Sequence, residues 1–127
     1  MRVAVPVWEK RVSPVFDTAR QLVVTDVEGS GLSSRLTLAL STTFAPRRAQ
    51  LLKSWGVEVL ICGGISPYLA RLISTYGIRV MPGVRGEAEE VLQAFCRNQI
   101  PSAAYTLPGW RTGRRRGRGG NRNLRRC

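Results

Sequence analysis

The hydrophobic period of this chain changes once, just after Leu40, and that change restricts its fold more than any other feature. Before it the repeat is two residues. Val3, Val5 and Val7 alternate with Arg2, Ala4 and Pro6, the pattern of a strand with one apolar face, and a second strand reads from Leu22 to Val27. Gly29-Ser30-Gly31 then turns the chain into a third, where Leu32, Leu36, Leu38 and Leu40 share one parity and so one predicted face; the short turn predicts a hairpin. After Leu40 the repeat becomes helical. Ala45, Ala49 and Leu52 recur at i, i+4 and i+7, with Pro46 suited to a first turn and Gly56 to a left-handed stop. Val57 to Cys62 is a β-branched buried strand bounded by glycine. Ser66 can cap a helix that carries Pro67, Leu69, Leu72, Ile73 and Tyr76 and ends at Gly77. Ile78 to Met81 reads as a short strand, and Ala88, Val91, Leu92 and Phe95 mark a last helix with Glu87, Glu89 and Glu90 at its positive end.

The predicted order is therefore βββαβαβα. An antiparallel start followed by right-handed crossovers gives a mixed five-stranded sheet with helices on its faces, an α/β three-layer domain that resembles the ribonuclease H-like architecture. Residues 1–105 are read as this domain. Residues 106–127 are read as a disordered Arg/Gly tail, because Gly113 to Gly120 offers no apolar surface to offset its ordering entropy. The tail also explains the charge. Of the net +12, residues 111–127 hold eight arginines and no acid, while residues 1–110 hold twelve basic and all eight acidic residues, a balance of +4. The folded part alone gives a nucleic-acid reading little support.

Composition removes several functions. The chain contains no histidine, which takes away the usual general base, and its three cysteines, Cys62, Cys96 and Cys127, are scattered and form no CxxC pair. A disulfide framework, a zinc site and a hydrolase are all disfavoured, so a non-enzyme is expected. A two-metal nuclease on this fold would need several inward carboxylates; Asp17 and Asp26 are too few, and Asp26 reads as a turn residue. No apolar run is long enough for a membrane span and no signal-peptide layout opens the chain, so a cytoplasmic protein with no membrane partner is expected.

Three segments could carry chemistry. Cys62 ends the central strand, and the N–H groups of Gly63, Gly64 and Ser66 with the helix behind them make an anion cradle whose field would favour a thiolate; the alternative is a core cysteine beside a tight turn. The loop from Trp8 to Arg20 places Arg11, Ser13, Asp17, Thr18 and Arg20 where they could line a mouth at one end of the sheet, or simply stay wet. In the tail, Arg114, Arg115, Arg116 and Arg118 could pair with phosphate or acidic partners, without an aromatic beyond Trp110 to stack bases. Cys96 falls on the apolar face of the last helix, and Cys127 is a chain-end thiol.

Taken in order, Val3 to Val7, Val12 to Arg20, Val59 to Ser66 and Gly77 to Gly86 resemble the dinitrogenase iron-molybdenum cofactor biosynthesis family, over about residues 1–97. The resemblance implies the same fold and a non-catalytic role, related to nitrogen fixation: binding or carrying an iron-molybdenum-type or other metal-sulfur cluster between donor and acceptor proteins. With that role, the cradle and the loop read above give the expected cofactor-binding residues as Cys62, Gly63, Gly64, Ser66, Arg11, Ser13 and Arg20, with Cys62 as the metal ligand. Members often carry His-Phe-Gly in the loop, where this chain reads Val15-Phe16-Asp17, and a cysteine near the end, where it reads Leu107-Pro108-Gly109-Trp110. The alternative function is a nucleic-acid or acidic-partner module acting through the tail.

Overall fold

A computed structural model describes residues 1–29, 31–100 and 105–106 of the chain. Apart from Thr106, the expected disordered tail, with Arg114, Arg115, Arg116, Arg118 and Cys127, lies outside the described residues. Seven strands occur among them: β1 (Arg2–Trp8), β2 (Arg11–Val12), β3 (Gln21–Glu28), β4 (Gly31–Leu32), β5 (Leu36–Ala39), β6 (Val59–Ile61) and β7 (Arg79–Met81). The helices are α1 (Ala45–Ser54), α2 (Pro67–Thr75) and α3 (Ala88–Cys96), with a 3-10 turn at Phe16–Thr18.

The sheet is mixed and runs β4-β3-β1-β6-β7, with β5 also on β3 and β2 also on β1. Val7 pairs with Gln21 of β3 and with Val12 of β2, so β2 continues the β6 side of β1. β3 is antiparallel to β1 and β5, whereas β6 is parallel to β1 and to β7. β1, β5, β6 and β7 therefore all point the same way. Alternation along β1 divides the core into two layers, as a period of two requires. Val3, Val5 and Val7 join Val59, Ile61, Val91, Leu92 and Phe95 on the α3 side. Ala4 joins Leu22, Leu60, Leu52, Leu69 and Ile73 on the side of α1 and α2.

The edge beside β3 departs from the expected single strand. On β4, Leu32 pairs with Val27; on β5, Leu36 pairs with Val24, so three steps along β3 answer to four along the edge. The extra residue sits beside Ser33, whose hydroxyl accepts the Asp26 N–H at 2.9 Å while its carbonyl accepts the Thr25 hydroxyl at 2.9 Å. A side-chain oxygen thus replaces a ladder partner, as serine readily does. A one-residue slip exchanges faces. Leu32 accordingly packs on the α3 side, while Leu38 and Leu40 pack with α1 and α2, and the shared leucine face predicted by parity is corrected.

Asp26 also differs from its reading as a turn residue. It lies inside β3 directly across from Arg2, whose guanidinium donates to its two carboxylate oxygens at 2.9 and 3.2 Å. The helices follow the sequence closely. Gly56 and Gly77, with φ of +75° and +81°, adopt the left-handed stop behind α1 and α2. The packed chain reaches at least Thr106, which bridges to Val84, while Tyr105 rests against the α3 layer.

Candidate functional site

Because β1, β5, β6 and β7 are parallel, the segments leaving their carboxyl ends meet at one end of the domain together with the amino termini of α1, α2 and α3. Open α/β sheets bind ligands at such an end. Here the segment after β1 is locked down by backbone bonds. Gly64 N–H donates to Pro14 O at 2.6 Å and Phe16 N–H to Gly64 O at 2.8 Å. Val12 N–H donates to Gly86 O at 2.9 Å, and Ala88 N–H at the start of α3 to Lys10 O at 2.8 Å. Gly63 is required by this crossing: a Cβ there would lie 2.7 Å from Ser13 O and 2.8 Å from Pro14 O, both backbone atoms.

The expected anion cradle exists, but the chain itself fills it. Asp17 Oδ1 accepts the Ser66 N–H at 2.8 Å, and Ser66 caps α2 by accepting the Leu69 N–H at 3.2 Å. A carboxylate at a helix amino terminus is a favourable placement, and it satisfies donors otherwise open to a ligand. Cys62 lies beneath, with no exposed surface, in the layer shared with α1 and α2. Burial, with Asp17 adding to it, pushes its thiol up from about 9 to about 12. The expected thiolate is thereby disfavoured at neutral pH in the ligand-free chain. The cradle's field is spent on Asp17, and desolvation holds the sulfur protonated. Cys96 is likewise buried, on α3.

Arg48 is the residue that the sequence reading missed. It is 1% exposed, yet it carries a guanidinium that donates to Phe16 O at 2.8 Å and Ala19 O at 2.6 Å and stacks 5.3 Å from the Phe16 ring centroid. Among the described residues its Nε has no hydrogen-bond partner. Arg48 therefore ties the 3-10 turn to α1. The signal was its spacing: three residues after Ala45 and four before Leu52, it falls on the helix's buried face.

Beside this clamped turn opens a cleft of about 500 Å³ lined by Val7, Trp8, Ser13, Thr18, Ala19, Arg20 and Gln21. Of the expected site residues it brings together Ser13 and Arg20, with Thr18. Gly63, Gly64 and Ser66 lie behind it as support, and Arg11 stands apart, bridged by its backbone to Glu87 near α3. The Ser13 hydroxyl is directed to Val15 O at 3.4 Å. Trp8, 60% exposed, and Gln21 were not singled out from sequence. The lining holds one guanidinium, two hydroxyls and an amide, and no carboxylate. That set suits an anion with hydrogen-bond acceptors on several sides. Among the described residues no three His, Cys, Asp or Glu side chains gather as a metal-holding group. No described helix is long and apolar enough to cross a membrane.

A fold with this site falls into a recognised class. The model for the dinitrogenase iron-molybdenum cofactor family matches residues 1–98, and the chain belongs to that family. Solved structures share its fold. The crystal structure of PH0822 is 25% identical, with a TM-score of 0.72 over 78% of this chain and 92% of that one. The apo form of the orange protein from Desulfovibrio gigas is 24% identical, with a TM-score of 0.64 over 83% of this chain and 94% of that one. A Thermotoga protein provisionally described as NifB is 23% identical, with a TM-score of 0.64 over 88% and 98%. No curated protein matches the chain.

Proposed function

We propose that this domain binds and carries a preformed metal-sulfur cluster of iron-molybdenum type, as cargo and without catalysing a reaction on it, in the cleft between Trp8 and Arg20. The observation that carries the reading is the lining: a guanidinium, hydroxyls and an indole without an opposing carboxylate, at the strand-carboxyl end of a family domain. Metal-sulfur clusters are commonly anionic, and hydrogen bonds to terminal sulfides favour their charge. Held this way, the cluster needs no thiolate from Cys62. The absence of histidine supports binding over catalysis. Donor and acceptor proteins for the cluster follow from the same reading, and the five positions across the sheet are in keeping with a ribonuclease H-like architecture.

The test is anaerobic incubation of the full chain with the anionic iron-molybdenum-sulfur complex formed beforehand from ferrous iron and tetrathiomolybdate, then desalting, metal analysis and visible absorption. Retained metal and sulfide with charge-transfer absorption in the visible range are the expected result. A colourless, metal-free protein that returns all sulfide to the small-molecule fraction would contradict the proposal.

A further inference from the structure

Exposed apolar side chains are not spread evenly over this domain. Six large ones are exposed among the described residues: Met1, Trp8, Val15, Leu36, Phe44 and Tyr68. Met1 and Leu36 precede or open strands. The other four stand at the strand-carboxyl end, with 60%, 42%, 66% and 53% of their surface free for Trp8, Val15, Phe44 and Tyr68. Each rides on ordered backbone. Trp8 ends β1, Val15 is bridged to Gly64, and Tyr68 lies in the first turn of α2. Phe44 precedes α1 and accepts the N–H groups of Arg47 and Arg48, each at 3.0 Å. Rigid aromatic anchors of this kind lose little freedom when they are covered, which marks them as contact residues rather than accidents of a loose loop.

The charge around them selects the partner. No Asp or Glu occurs between Glu28 and Glu58 or between Glu58 and Glu87, so the parts of α1 and α2 nearest Phe44 and Tyr68 carry exposed cations alone, Arg47 and Arg71, with Arg48 buried and Lys53 at the far end of α1. Arg20 adds to the exposed cations beside α1, and Asp17 is already committed to the Ser66 N–H; the exposed acids of this end, Glu9, Glu87, Glu89 and Glu90, lie just before Lys10 and at the start of α3, and Lys10 keeps to that side. We propose that this end is a docking face for an acidic protein, with Phe44 and Tyr68 as its apolar anchors and the surrounding cations as its steering rim. A second copy of a chain with net charge +12 would bring like charge to like. Nucleic acid fits less well, because exposed Val15, Phe44 and Tyr68 with cations nearby have the composition of a protein interface, apolar anchors and a charged rim. This inference does not depend on what the Arg20 cleft holds, since neither Phe44 nor Tyr68 lines it.

The experiment is selection of a phage-displayed library of random peptides on the immobilised full chain at physiological salt, followed by titration of the enriched peptides. Peptides that combine acidic and apolar residues should emerge. They should bind wild type and Leu36→Ser alike and lose about tenfold or more in affinity to Phe44→Ser or Tyr68→Ser. Both variants should still take up cluster as wild type does, which separates this surface from the cleft. Enriched peptides that bind Phe44→Ser and Tyr68→Ser undiminished would overturn the proposal. So would a wild-type dimer dispersed by these substitutions, or oligouridylate binding that depends on Phe44 and Tyr68 while acidic peptides do not.

Discussion

Cys62 and Arg48 lie on the same side of the sheet, and burial works against the charged form of both. For Cys62 the consequence is a neutral thiol. Its pKa in the folded protein, raised to about 12, exceeds its unfolded value near 9, so the stabilisation is fully present below about pH 8.5 and is lost progressively as pH rises toward 12. The melting midpoint of wild type should therefore fall more steeply between neutral and strongly alkaline pH than that of Cys62→Ala. Native Cys62 should also resist iodoacetamide at pH 8 as long as Cys96 does, read by mass spectrometry of the labelled peptides; rapid labelling of Cys62 alone would show a thiolate. Arg48 remains tolerable because two carbonyls accept its protons. Arg48→Met would leave Phe16 O and Ala19 O without that donor and should destabilise the fold by about 1–3 kcal/mol, measured by urea unfolding. Equal stability would mean that the turn does not depend on the clamp.

Elements were far more legible in the sequence than their neighbours were. Pro46, Pro67, Gly56 and Gly77 bracket α1 and α2 by local chemistry, which is why those helices were readable at once. The β4–β5 edge was not readable, because parity assumes one register and Ser33 inserts a step that only the pairing with β3 reveals. The site was half legible for a similar reason. Arg20, Ser13 and Thr18 were recognisable as polar groups in one loop, and Gly63 and Gly64 as a tight turn. Nothing local announced that Asp17 would reach across forty-nine positions to the Ser66 N–H and close the cradle. The glycines prove to matter for the crossing strand of chain. Gly63→Ala, which drives a methyl group into Ser13 O and Pro14 O, should cost about 1–3 kcal/mol and lower cluster uptake in the same preparation. An alanine variant with wild-type stability would mean that the loop moves freely off the turn.

At the scale of the whole molecule the two ends of the sheet differ in kind. The amino ends of β1 and β6 are tied by structural contacts: Arg2 holds Asp26 and donates to Trp55 O at 2.9 Å. Hydrogen bonding from Arg2 holds the Asp26 carboxyl below its usual range, and Arg35 does the same for Glu89 on α3. Their folded pKa values are depressed, so their contribution is present above the unfolded carboxylate value of about 4 and is lost as pH falls below it; both pairs are partly exposed, which keeps the effect small. The carboxyl ends carry the cleft, the clamped loop and the exposed aromatics, and there the central claim can be tested. Wild type, Arg20→Glu and Cys62→Ala should be incubated anaerobically with the preformed complex of ferrous iron and tetrathiomolybdate, and bound metal and sulfide measured per folded chain after desalting. The account predicts that wild type and Cys62→Ala retain the cluster alike while Arg20→Glu, with an unchanged melting midpoint, retains almost none. Loss of the cluster in Cys62→Ala with full retention in Arg20→Glu would contradict it.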